Sequence, residues 1–211
     1  RFAKERSDVG KATISGFILV TGLMVLVTLL PYAVLQRADV AGLRRLNDLP
    51  PELSDDEVAE LAFQQRRVKT GNDFLPLHLQ RVVTISCVLR TGEGLKVWSL
   101  AEPDLDEGAI IQRFFDGIEK FTPQVVSWNG GGFDLPVLHY RGLLHGVAAP
   151  RYWDLGDGDY ADSRDFKWNN YISRYHTRHL DLMDLLALYN ARSNAPLDDL
   201  AKLYPISFEG Q

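Results

Sequence analysis

Between Gln124 and Gly146 the chain passes from a short apolar run (Val125-Val126-Ser127-Trp128) through Asn129 and three consecutive glycines into a segment apolar at helical spacing. A strand that gives way to a helix through glycines puts the turn at the strand's carboxyl end, where open α/β sheets place their sites. Asp134 and Pro136 stand at the start of that helix, so a carboxylate faces the crevice. A plainer role also fits: an aspartate at a helix start serves as its cap, with Pro136 as a first-turn proline.

The flanking segments agree with an α/β layer fold. Ser54 and Glu57 form a capping box that predicts a helix from Asp55 to Val68, with Val58, Leu61 and Ala62 on one face. Arg81 to Arg90 and Leu95 to Leu100 read as two strands reversed at Thr91-Gly92-Glu93-Gly94, an antiparallel hairpin. Asp106 to Phe121 places Ile110, Ile111, Phe114, Phe115 and Ile118 on one side of a helix that Thr122-Pro123 ends. Beyond Pro150 an aspartate- and aromatic-rich stretch runs through Tyr175, expected as a long ordered loop with short helical pieces. An apolar pattern resumes from His179 to Leu188, and a last helix is expected from near Asn194 to Tyr204. Hairpin, helix, strand, helix is the order of a mixed sheet with crossover helices.

At 211 residues the chain suits one domain with flanking segments, and its net charge of −5 excludes a protein that coats nucleic acid by global charge. Cys87 is the single cysteine and lies in a strand-like run, so it has no disulfide partner within the chain and reads as a core thiol in a reducing cytoplasm. The first 38 residues differ from the rest. Residues 14–35 are almost continuously apolar, with Lys4, Arg6 and Lys11 before them and Arg37 after. Such a run is long enough to span a membrane, which would make the protein membrane-associated, but a buried strand pair or a secretory h-region has the same character. The chain begins with Arg1 rather than Met, as a fragment or processed product would.

Three separated segments carry a family resemblance. Trp128-Asn129, three glycines and Phe133-Asp134-Leu135-Pro136 resemble the second motif of the exonuclease domain of family B DNA polymerases. Thr70 to His78 before the hairpin and His179-Leu180-Asp181-Leu182-Met183-Asp184-Leu185-Leu186 after the long loop are similar to stand-alone bacterial 3′–5′ exonucleases of that type. The resemblance covers about Asp39 to Leu203 and implies an RNase H-like fold, a five-stranded mixed sheet flanked by helices, over residues 39–211.

Enzymes of this kind hold two divalent ions, Mg²⁺ or Mn²⁺, on four acidic residues and hydrolyse the terminal phosphodiester at a single-stranded 3′ end. By that resemblance Asp134 is the catalytic and metal-binding carboxylate of the second motif, Asn129 orients the loop or touches substrate, and Phe133 stacks or wedges against the terminal base. Trp128 and His78 join them as substrate-binding candidates.

Both ends depart from the pattern. The first motif, a strand with Asp-x-Glu, belongs just before Asp39, where Ala33 and Leu35 stand in the carboxylate positions. The third, a Tyr or His followed by Asp on a last helix, belongs after Tyr204, but the sequence stops at Gln211. The expectation is a fold incomplete at both ends, from a disrupted gene or a degenerate paralogue, in which Asp134 alone binds metal weakly. Asp181 and Asp184 are substitute ligands, or else cap and salt-bridge a strand–helix junction. His78, His176 and His179 lack zinc-ligand spacing. Arg151, Arg164, Lys167, Arg174 and Arg178 interleave with aromatics as a single-strand contact surface would, while the aspartates among them suit a packed, self-paired loop. Two functions follow: an impaired 3′–5′ exonuclease, or a catalytically inactive RNase H-like module that binds a nucleic-acid end or a protein.

Overall fold

The computed structural model describes residues 38–203 except 93 and 101–105. The apolar run at 14–35, the positions Ala33 and Leu35, and the chain beyond 203 all lie outside the described residues. Among the described residues, no helix is long and apolar enough to cross a membrane.

Helix α1 (Val40–Asn47) is capped by Asp39, and α2 (Asp55–Thr70) opens with the expected reciprocal Ser54/Glu57 capping box. At its end Gly71 takes a left-handed φ of 79°, which allows its N–H to reach back to the Arg67 carbonyl. A short 3₁₀ turn (Leu77–Leu79) leads into the hairpin of β1 (Ile85–Thr91) and β2 (Gly94–Leu100), antiparallel with Ile85 opposite Leu100 and Thr91 opposite Gly94. The ladder begins at Ile85 rather than at Arg81. Val82 donates its N–H to the Glu107 carboxylate at 2.7 Å, which takes it out of strand pairing.

Helix α3 (Glu107–Phe121) buries Ile110, Ile111, Phe114, Phe115 and Ile118. Strand β3 (Val125–Ser127) then turns through the glycines into α4 (Asp134–His145). After the long loop, which contains the single-turn α5 (Ser163–Phe166), strand β4 (His179–Asp181) pairs parallel to β3. A short α6 (Leu182–Leu186), a 3₁₀ turn (Ala191–Ser193) and α7 (Leu197–Leu203) follow.

The result is a mixed α/β architecture, consistent with the RNase H-like fold that the resemblance implies. The described strands form two pairs, β1–β2 and β3–β4, in place of the expected continuous five-stranded sheet. The segment that the resemblance assigns to the first strand is outside the described residues. The main core joins the hairpin, α3 and α4 to Tyr152, Phe166 and Tyr171 of the long loop, while a second core lies under α1 and α2. Cys87 sits in the first, and burial pushes its thiol up to about 12, which keeps it protonated and unreactive.

Candidate active site at the glycine loop

The turn between β3 and α4 is built by close approach. Asn129 adopts a left-handed φ of 59°, a conformation asparagine tolerates better than most residues. Its carbonyl accepts the N–H groups of Gly132 (3.0 Å) and Phe133 (2.9 Å), and the Gly130 carbonyl accepts Leu135 N–H. A Cβ on Gly130 would fall on the Ser127 side chain, and one on Gly132 would fall on the Asn129 side-chain oxygen, well inside van der Waals contact in both cases. The clash with the buried Ser127 side chain explains glycine at 130, whereas at 132 the exposed Asn129 amide could swing aside.

The loop delivers Asp134 to the first turn of α4, with the residue only 6% exposed. The N-cap position belongs to Phe133, which makes no side-chain capping bond, so Asp134 is the first helical residue rather than the cap. Its carboxylate lies at the positive end of the helix dipole.

Asp181, directly opposite Ser127 in the β3–β4 register, collars the loop from the neighbouring strand. Its Oδ1 accepts Asn129 N–H at 2.8 Å and Met183 N–H at 3.2 Å, and its Oδ2 accepts Gly131 N–H at 2.9 Å. Beneath the loop, the buried Ser127 hydroxyl meets His179 Nε2 at 2.8 Å. Burial, only partly opposed by Asp181 and Asp184, lowers the His179 pKa, so the ring is neutral at pH 7. Asp184 receives both donors of a forked Arg174 guanidinium, at 2.6 and 2.7 Å. Among the described residues, no group of three or more His, Cys, Asp or Glu side chains is placed to hold a metal ion.

The substrate-facing candidates spread along one side of α4. Phe133 is half-buried and packs at 5.5 Å, tilted, against the exposed Phe74 ring. Asn129 is exposed at the loop tip, whereas Trp128 is half-buried, its indole N–H enclosed without a hydrogen-bond partner among the described residues. His78 is exposed and meets Tyr140 edge-on at 6.0 Å. Tyr140 lies six residues beyond Asp134 on α4, roughly 9 Å along the axis. Thus exposed Asn129 and half-buried Phe133 flank the glycines that lead into buried Asp134, and His78 stands farther along the helix.

In the long loop the two arginines nearest the core face inward. Arg151 lies 4.1 Å from the Phe166 ring centre and bonds Asp162, while Arg178 lies 3.9 Å from the same ring. Trp153, Trp168 and Tyr175 remain exposed. His176 accepts Asn170 N–H and so organises the loop.

Sequence patterning does not reveal the anchor of α4. Arg141, 3% exposed, donates two bonds to Glu107 at the start of α3 (2.8 and 2.6 Å) and one to Asp39 at the start of α1 (2.6 Å). Glu107 also accepts Val82 N–H and meets His145 Nε2 at 3.0 Å. The only signal for this anchor is an arginine among the buried positions of a mostly apolar helix. His139, five residues after Asp134, is equally inconspicuous in the sequence. Burial and then nearby His179 bring it down to about 4, so it is neutral where it meets the Tyr152 hydroxyl at 3.0 Å.

A segment of the chain is 46% identical over 43 residues to the catalytic polypeptide of DNA polymerase epsilon from Saccharomyces cerevisiae, covering 20% of this chain and 2% of that protein. The family described as predicted 3′–5′ exonucleases related to the exonuclease domain of PolB matches residues 72–207, well over half of the chain, from just before the Phe74 contact to beyond α7. The chain belongs to that family.

Proposed function

We propose that this exonuclease-type domain receives the 3′ end of a single DNA strand at the mouth of the glycine loop, with Asp134 as its active-site carboxylate. The observation that carries the proposal is the convergence of three features at one turn: buried Asp134 on a helix N-terminus, exposed Asn129, and the Phe133 ring beside Phe74. A ring at that position stacks on a terminal base whatever its identity. Asn129 touches the strand there, Trp128 backs the loop, and His78 lies along the approach.

Mg²⁺ or Mn²⁺ is the cation that carboxylate oxygens would take, and it would supply the activated water for hydrolysis. A two-ion site does not fit the described side chains, because no third His, Cys, Asp or Glu joins any pair, Asp181 is bonded to backbone amides, and Asp184 to Arg174. With Ala33 and Leu35 at the first-motif positions as well, we infer that hydrolysis is impaired. The same ligand shortage favours a second reading, a catalytically inactive RNase H-like module that binds a nucleic-acid end or a protein partner. The buried thiol of Cys87 suits a cytoplasmic location.

The test is incubation of end-labelled single-stranded DNA with Mg²⁺ or Mn²⁺, using the wild-type chain and Asp134→Ala. Slow shortening from the 3′ end that disappears in Asp134→Ala supports the enzyme. Binding without shortening selects the inactive module, and absence of both overturns the nucleic-acid function.

A further inference from the structure

The glycine loop presents backbone N–H groups toward an acidic side chain from another strand. Consecutive amides arranged in this way form a concave anion site, and here the anion already seated is Asp181, with one oxygen on Asn129 N–H and the other on Gly131 N–H. We propose that Asp181 is the positioning residue of the site: its carboxylate fixes the glycine loop, and through the loop it sets where Asp134, Asn129 and Phe133 stand. The substrate part of this proposal rests on the function proposed above.

Three features support it. Asp181 lies opposite Ser127, the last residue of β3, so its reach to the loop is set by the parallel register. Each oxygen holds a different loop residue, so the carboxylate constrains both position and orientation. The loop itself is rich in glycine and has the largest conformational entropy to lose, so an external clamp has more effect here than on an ordinary turn. The third amide held, Met183 N–H, links the clamp to the start of α6. A residue that only capped α6 would leave the loop amides indifferent to its removal.

Hydrogen exchange of individual amides separates these roles without requiring hydrolysis. Asp181→Gly is compared with wild type, with Ile111 N–H in the core of α3 reporting that the fold is intact. A charge-assisted bond is worth enough that exchange at Asn129 and Gly131 is expected to rise about ten-fold or more. Sodium formate, a carboxylate that fits the vacated space, is expected to slow exchange at those two amides again, whereas sodium chloride at equal ionic strength is not. Asp181→Asn keeps the volume but only one acceptor oxygen, and is expected to release one of the two amides. In parallel, affinity for a single-stranded oligonucleotide is expected to fall in Asp181→Gly and recover with formate.

Unchanged exchange at Asn129 and Gly131 overturns the proposal. So does a loop that opens while affinity stays at the wild-type level. A wild-type chain that binds no oligonucleotide overturns the function proposed above, while the exchange measurement still decides whether Asp181 clamps the loop.

Discussion

Glu107 and Asp181 are both carboxylates that tie together distant parts of the chain, and they do so under opposite conditions. Glu107, its side chain 3% exposed, takes two donors from Arg141, one from His145 and one from the Val82 backbone. Asp181 is half-buried and bonds neutral backbone amides alone. Two ions buried together depend on each other, because either one left without the other bears the full cost of desolvation. A carboxylate on amides near water is replaceable by solvent, so its removal frees a loop without unfolding a core. Removal of one partner is therefore expected to cost far more stability at Arg141 than at Asp181, where the effect falls on the shape of the loop.

The harshest way to break this contrast is Arg141→Met. It keeps much of the side-chain volume but strands Glu107 and Asp39 in the interior, so a loss of about 3–5 kcal/mol is expected in urea denaturation. A loss below about 1 kcal/mol would show that Arg141 does not hold α1, α3 and α4 together.

Gly130→Ala strikes the loop side of the comparison. The new methyl group falls on the buried Ser127 side chain, so the β3–α4 turn must shift, at an expected cost of about 1–3 kcal/mol. The same change at Gly131 meets the Asp181 carboxylate at 3.3 Å, a much milder crowding. Equal melting temperatures for Gly130→Ala and wild type would sink the close-packed account of the loop.

Acid sharpens the other side. Burial by itself would raise the carboxyls of Glu107 and Asp39, but Arg141 and the Val82 and Gly42 amides outweigh it and hold both below their ordinary values. A folded pKa below the unfolded one contributes stability that is fully present above the ordinary carboxylate range and is lost as pH falls through the folded value. Unfolding free energy should therefore decline as the solution is acidified below the usual carboxylate pKa. In Arg141→Met that decline should flatten, and an identical acid profile would argue against the pairing.

The same division separates what is legible in the sequence from what is not. Ser54 and Glu57 announce α2 because a capping box is complete within four residues, and Thr91 to Gly94 announces the hairpin reversal for the same reason. The first strand starts at Ile85 instead of Arg81 because Val82 is drawn off by Glu107, twenty-five positions away. Arg141 reaches Asp39 across a separation of 102 residues, and Asp181 reaches Asn129 across 52. No local periodicity encodes such pairings. The motif around Asp134 is visible because its spacing follows one strand, one turn and one helix, whereas the clamp that shapes it arrives from another strand.

The smallest expected effect on stability is also the one that bears most directly on function. Asn129 has two candidate roles, to accept the left-handed backbone angle and to touch the substrate with its exposed amide. Asn129→Gly satisfies the first role and deletes the second, so stability is expected to stay within about 0.5 kcal/mol of wild type. Asn129→Ala deletes the amide and adds left-handed strain, and is expected to cost about 1 kcal/mol. Measured against a single-stranded oligonucleotide, substrate contact predicts a similar loss of affinity in both variants, because both lack the amide. A conformational role alone predicts that Asn129→Gly binds like wild type and only Asn129→Ala is weakened. Wild-type binding by Asn129→Gly would thus remove Asn129 from the contact surface and leave Phe133 beside Asp134 as the remaining contacts at the loop mouth.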